Sequence, residues 1–347
     1  MKSEIWTENA WYVAAFSREL QGNVLLARKF LGTPVVMYRK ADGSPVALED
    51  SCAHRKLPLS FGHVQNDQVV CGYHGMTFAP TGKCTYIPGQ ERIPAAACVR
   101  SFPLVERHKL LWIWMGDASL ADESRIPALN WMSDRDWVAS EGYTPLEADY
   151  RLLIDNLLDL SHVAFVHGRT IGNVAVAESP IKVTEVDGVL KVHRDVVGAM
   201  PPPFFAYIGR YRKEIHRWHT VNFVLPSICA IEIGSSALHE GDGRGTITGC
   251  VLHLITPETE ESSHYFWAFT RNFAQDDDSL TEYIRENVGR THDEDKVVVE
   301  LQHQALTAGQ RDNPVSVAIA ADGGALRGRK MLGEMLERDF AAAVGAG

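Results

Sequence analysis

Two short motifs carry the first chemistry in this chain: Cys52-Ala-His54, then sixteen residues, then Cys71-Gly-Tyr-His74. Two thiolates and two imidazoles on paired short loops can hold a two-iron, two-sulfide cluster, with both Cys on one iron and both His on the other. Replacing two thiolates by neutral imidazoles lowers the negative charge around the cluster and raises its reduction potential. Such a cluster takes electrons from a donor and passes them on. Two Cys and two His also suit structural zinc, but zinc modules pair like ligands, C-x2-4-C and then H-x3-5-H. Here each half supplies one Cys and one His, and Gly72, Gly75 and Gly82 punctuate a segment of hairpin character, as paired cluster loops require.

The segment Asn156-Leu-Leu-Asp159-Leu-Ser-His162-Val-Ala-Phe-Val-His167 carries the second signal. Two His and one carboxylate can hold a mononuclear Fe(II) on one face and leave the other positions open for O2 and substrate. On an ideal helix, positions five apart lie about 140° apart, too far round for one metal. The spacing therefore predicts a helix irregularity or a helix end between Ser161 and His167. Asp159 and His162, three apart, share a face, which suits Asp159 as a group that holds the histidine. The pair alone could be two unrelated helix histidines. A cluster fused to a larger domain, however, needs an electron acceptor, and a mononuclear iron supplies one. For the third ligand, the run Thr291-His-Asp293-Glu294-Asp295-Lys-Val-Val-Val-Glu300 offers Asp293, Glu294 and Asp295. Periodicity does not choose among them, and an acidic first turn complementing a helix dipole is the alternative.

Around these motifs, 347 residues suffice for two domains. From Trp11 to Trp114 the pattern is of short strands, among them 25–31, 34–39, 45–49 and 110–115, which reads as one all-β module. A polar stretch near Gly116 to Pro127 marks the boundary, giving a cluster domain over 1–120 and a catalytic domain over 121–347. The second part reads as a helix over 150–166, strands over 181–186, 190–197, 219–225, 228–233, 247–255 and 264–269, then helices over 279–309 and 326–344. Strands between helices without regular alternation indicate an α+β domain. The formal net charge of −10 speaks against nucleic acid or an anionic membrane surface as partner. No apolar run is long enough to span a membrane, and no leader pattern opens the chain. Cys84, Cys98, Cys229 and Cys250 show no disulfide-framework spacing, so a reducing cytoplasm is expected.

Taken together, these residues resemble the Rieske non-haem iron oxygenases, and within them the vanillate and dicamba O-demethylase oxygenase components. The matching elements are Asn9-Ala-Trp-Tyr-Val-Ala-Ala15, the two cluster loops, 156–162, 253–259, 270–273 and 294–300, spread over nearly the whole chain. The resemblance implies a Rieske [2Fe-2S] domain followed by an α+β helix-grip catalytic domain. Through its Glu294-Asp-Lys-Val match it selects Asp295 as the third ligand of the mononuclear Fe(II). It also implies a homotrimer in which Asp159 bridges His162 to the partner subunit's His74, and it draws Asn156 into the site. His253 resembles a pocket-facing position; a strand histidine satisfied by a neighbour is the competing reading. The segment 171–217 resembles the family least.

No dinucleotide fingerprint follows a strand, so electrons must come from a separate NAD(P)H-dependent reductase of flavin or ferredoxin type. The function expected is O-demethylation of a methoxylated aromatic acid with release of formaldehyde. The alternatives are oxidation of another methyl or ring C–H of an aromatic compound, or a Rieske electron carrier without catalysis.

Overall fold

The computed structural model describes residues 5–308 and 317–345. The chain divides into two compact units. One runs up to Ala128 and includes Thr256–Glu260; the other comprises Leu129–Ile255 and the chain from Glu261 on.

The first unit is all β. Its strands are β1 (Trp11–Phe16), β2 (Leu26–Phe30), β3 (Thr33–Arg39), β4 (Pro45–Glu49), β5 (His63–Gln65), β6 (Gln68–Val70), β7 (Thr77–Phe78), β8 (Cys84–Tyr86), β9 (Ser101–Phe102), β10 (Leu104–Arg107) and β11 (Leu110–Trp114). They form three sheets, ordered β1-β11-β10, β2-β3-β4-β9 and β5-β6-β7-β8. The two cluster motifs occupy the loops β4–β5 and β6–β7. Val36, Tyr38, Leu48, Leu59, Val69 and Phe78 form a core that includes Cys52 and Cys71.

The second unit is α+β. Its strands are β12 (Val138–Leu146), β13 (Ile181–Val186), β14 (Val189–Ala199), β15 (Ile215–Val224), β16 (Ile228–Ala237), β17 (Thr246–Pro257) and β18 (Ser263–Arg271). They make one seven-stranded sheet, ordered β12-β18-β17-β16-β15-β14-β13. The meander β13 to β18 follows chain order, and β12 returns to pair antiparallel with β18. The helices are α1 (Tyr150–Leu158), α2 (Val163–Val166), α3 (Val174–Glu178), α4 (Pro203–Gly209), α5 (Asp278–Thr307) and α6 (Gly323–Gly345). Helix α5 lies against β12 and β18, while α6 lies against α1 and β14. The buried face of α5 carries Leu280, Ile284, Val288, Thr291, Asp295 and Val299, the three-to-four spacing of an amphipathic helix.

The expected strand over 181–186 is β13, residue for residue. The expected helix over 279–309 starts one residue earlier and ends at Thr307; Gly309 lies outside the described residues. Strand β12 and helices α3 and α4 were not expected. Among the described residues no helix is long and apolar enough to cross a membrane.

Candidate metal centres and cavity

The two cluster loops have the same backbone construction. In each, the cysteine carbonyl accepts from the amide four residues on, Lys56 in one and Gly75 in the other, at 3.0 Å. In each, the cysteine amide donates to the carbonyl five residues on, that of Leu57 at 2.9 Å and of Met76 at 2.8 Å. Lys56 and Gly75, at matching places, both have positive φ, 60° and 71°. This turn buries the cysteine and leaves the histidine at the rim: Cys52 and Cys71 are each 2% exposed, whereas His54 and His74 are exposed. Burial raises the Cys52 thiol, the His54 amide pulls it back, and contact with Cys71 raises it again. The Nδ1 atoms of His54 and His74 stand 3.2 Å apart. Two nitrogens about 2.1 Å from one tetrahedral metal would stand roughly 3.4 Å apart. Paired thiols on one side and paired imidazoles on the other are the donor set of a Rieske cluster.

The second centre begins where α1 stops. Asp159 leaves helical geometry (φ −106°, ψ 94°), and its carboxylate accepts from the Ser161 amide at 2.8 Å and the Ser161 hydroxyl at 2.6 Å. A 3-10 turn, Leu160–His162, then leads into the four-residue α2, which ends at His167 (φ −108°, ψ 22°). The irregularity expected between Ser161 and His167 is thus a helix end, with a second break at Asp159. It swings His167 round to His162, the rings lying 5.2 Å apart and nearly perpendicular.

Of the three acids that periodicity left open, Asp295 meets both histidines. Its Oδ1 lies 3.4 Å from His162 Nε2 and 3.0 Å from His167 Nε2. One ligand atom from each of the three residues falls within 4.8 Å of the others. The remaining ring nitrogens are tied back. His162 Nδ1 donates to the Asp159 carbonyl, and His167 Nδ1 donates to Glu294 at 2.7 Å. Both rings therefore turn Nε2 toward Asp295, the tautomer a metal ligand needs. Asn156 Nδ2 donates to Asp295 Oδ1 at 3.3 Å, and Thr170 donates to Glu294 at 3.3 Å. Asp293 is exposed. Burial would raise the Asp295 carboxyl, but the two histidines outweigh it and hold it well below the usual range. Burial would lower His167, yet Asp295 and Glu294 push it above its ordinary value. Two neutral imidazoles and a carboxylate on one side suit Fe(II).

Within this chain Asp159 touches His162 through its backbone carbonyl, while its carboxylate caps Ser161. Glu294, open as a possible ligand from sequence, is instead the orienting partner of His167.

The three candidate ligands open onto a cavity walled by Leu157, Ile171, Phe204, Phe205, Ile231 and Val251, among others. It holds about 90 Å³, several times the ~15 Å³ one water requires. Three further histidines line it: His253, expected in the pocket, and His219 and His292, which were not. His253 Nδ1 bonds the Tyr265 hydroxyl at 2.5 Å; its Nε2 has no partner among the described residues. Burial presses His253 down to about 4, so it is neutral at pH 7. Burial also drives His292 well below its ordinary value.

Residues 146–338 match the family model of the vanillate O-demethylase oxygenase C-terminal domain, and residues 10–103 match that of the Rieske [2Fe-2S] domain. The chain is similar to the iron-sulfur subunit of a toluene-4-sulfonate monooxygenase system from Comamonas testosteroni, at 36% identity over 96% of this chain and 98% of that protein. It is 37% identical to the vanillate O-demethylase oxygenase subunit of Pseudomonas sp. (strain ATCC 19151), over 89% of this chain and 95% of that one. Among solved structures, dicamba monooxygenase bound to 3,6-dichlorosalicylic acid superposes with a TM-score of 0.91 at 34% identity, covering 97% of this chain and 99% of that one. The same enzyme with non-heme iron and dicamba superposes at 0.83, at 33% identity over 98% and 99%.

Proposed function

Because the chain belongs to the Rieske oxygenases that carry the vanillate O-demethylase oxygenase C-terminal domain, we propose that it is the monooxygenase component that removes the methyl group of a methoxylated aromatic acid. The observation that carries this reading is the His162, His167 and Asp295 set opening onto an apolar cavity. On this reading residues 1–120 carry the cluster, with Cys52 and Cys71 on one iron and His54 and His74 on the other. Residues 121–347 carry the mononuclear Fe(II) on His162, His167 and Asp295. When bound, that iron supplies activation of O2 for insertion of one oxygen atom into a C–H bond.

The chain's own residues position and shield. Glu294 and the Asp159 carbonyl fix the two imidazoles, and Asn156 holds the Asp295 carboxylate. The apolar walls keep water from the reacting carbon, and neutral His253 offers its unpartnered Nε2 to the substrate. Oxygenation of a methyl ether carbon gives a hemiacetal, which collapses to a phenol and formaldehyde. The second oxygen atom leaves as water, with two electrons and two protons supplied. A separate NAD(P)H-dependent reductase delivers the electrons, and the exposed His54 and His74 rim is where they enter and leave. Six cysteines, all free, fit a reducing cytoplasm.

A reductase assay over a panel of methoxybenzoates tests the reading. One formaldehyde per substrate consumed is the expected result; no formaldehyde across the panel, with both metal centres intact, would overturn it. The similarity to a toluene-4-sulfonate monooxygenase subunit favours one second reading, oxidation of a ring methyl. A hydroxymethyl product from a methylarene would mark it. An electron carrier would have no need of the His162, His167 and Asp295 set, and iron bound beyond the cluster would exclude it.

The proposed assembly is a homotrimer in which Asp159 couples His162 to the partner subunit's His74. Asp159→Asn should load both centres and slow the reoxidation of the reduced cluster in stopped flow with substrate and O2. Wild-type reoxidation would leave Asp159 as the cap of Ser161 and nothing more.

A further inference from the structure

Strand β15 places Arg217, His219 and Val221 on one face, by the two-residue alternation of a strand. His219 lines the cavity. Arg217 lies behind two wall residues: its Nη1 donates to the Ile171 carbonyl at 2.7 Å, and its guanidinium lies 4.7 Å from the centre of the Phe205 ring. Across the ladder Arg194 of β14 stands opposite His219 and donates to the carbonyl of Val176, also in the wall. Two guanidiniums therefore back one wall of a largely apolar cavity.

Arg217 is 1% exposed, and its Nη2 has no partner among the described residues. No carboxylate among them makes a salt bridge with Arg217, and burial alone acts on it, whereas Arg194 feels the opposite charge of Asp159. His219 is 9% exposed, and its Nδ1 is likewise unpartnered. Burying a cation without an opposite charge is costly, and leaving its donors unused adds to the cost. A wall that merely needed filling would be served by an apolar residue. The other two cavity histidines stand together, the His253 and His292 rings 5.3 Å apart with His292 three residues before Asp295 on α5, whereas His219 stands opposite Arg194 and two residues from Arg217 on β15. Burial and those two positive charges keep His219 neutral, with one ring N–H to donate.

We propose that Arg217 and His219 hold the anionic group of an aromatic acid, a carboxylate or a sulfonate, so that the opposite end of the ring faces His162, His167 and Asp295. This rests on the reading that the cavity receives the substrate. Arg194 adds positive potential behind the pair. The anion supplies the charge that Arg217 lacks and the acceptor for His219, and the ring lies between the apolar walls.

The test is binding without turnover. Anaerobic holoenzyme is dialysed to equilibrium against matched pairs, 4-methoxybenzoate with 4-methoxybenzamide and toluene-4-sulfonate with toluene-4-sulfonamide. Wild type should bind at least one acid about tenfold or more tightly than its neutral partner, and the pair that shows it separates carboxylate from sulfonate. Arg217→Met should lose that preference while neutral binding stays the same. If Arg217→Met does not fold with its cluster spectrum, His219→Asn decides: it should weaken the acid several-fold and leave the amide unchanged. No acid preference in wild type, or an equal loss of acid and amide binding in the variants, would overturn the assignment. Selective acid binding without formaldehyde would sink demethylation and leave this assignment standing. Demethylation with no acid preference would do the reverse.

Discussion

The cluster loops and the candidate mononuclear site gather their candidate ligands over very different distances along the chain. His54 and His74 are 20 residues apart, on two loops of the same construction. His167 and Asp295 are 128 residues apart, one at a broken helix end and the other in the middle of α5. The supports differ as well. Backbone amides and carbonyls shape the cluster loops, whereas Glu294, Asn156 and the Asp159 carbonyl orient the second set. A site made from local turns depends on its own loops. A site made from distant elements depends on side chains that hold other side chains, and it can fail without the fold failing.

Substitutions can break that contrast. Cys71→Ala should have the largest effect, with loss of the cluster, its visible absorption and all turnover, because Cys71 is in the proposed ligand set and also part of the buried core. His162→Ala should keep the cluster spectrum and lose the remaining iron together with activity; activity in this variant would remove His162 from the site. Glu294→Gln should lower iron affinity by about 10–100-fold, read by chelator competition, with the cluster unchanged. Its pH profile sharpens the point. Iron needs neutral His167, and the carboxylates push His167 above its ordinary value. Iron retention in wild type should therefore fall as pH drops below that raised value. Removing the Glu294 charge should shift the fall to lower pH while weakening retention at the alkaline plateau. An unshifted profile would show that Glu294 does not act through His167.

The smallest effects test the twin loops. Gly75→Ala forces a side chain into positive φ with its Cβ 3.1 Å from Pro88 Cγ, and should cost about 1–2 kcal/mol. Lys56→Gly at the matching place should stay within about 1 kcal/mol of wild type. Urea unfolding followed by cluster absorbance reads both, and a large loss in Lys56→Gly would show that the loops are not equivalent.

The same contrast governs what was legible in the sequence. The cluster motif could be read because its spacing is the turn itself. The helix end at His167 could be deduced because five residues do not return to one face of a helix. The choice of Asp295 failed on periodicity because Asp293 aligns with Val297 and Leu301, apolar residues that are exposed in the fold. Carried back to Leu280, the buried stripe of α5 includes Asp295 and leaves Asp293 outside. Strand β12 was missed because Gly142 and Pro145 read as breakers. Pro145 is tolerated on an edge strand, and a Cβ at Gly142 would lie 2.0 Å from Cζ2 of Trp267. Helix α4 hid behind Pro202 and Pro203, although proline suits a first helical turn. Arg217 and His219 gave no sign because the strand was expected to start at His219, and a charged residue just before it reads as a solvated end.

The sheet of the second unit ends in β12 on one side and β13 on the other. On β12, Pro145 offers no amide to an incoming chain. On β13, Lys182, Thr184 and Glu185 are exposed, and Arg327 of α6 bonds Glu185 at 3.0 Å. Proline and charge make both margins poor templates for strand addition. In a crowded solution this sheet is thereby protected against runaway edge-to-edge growth.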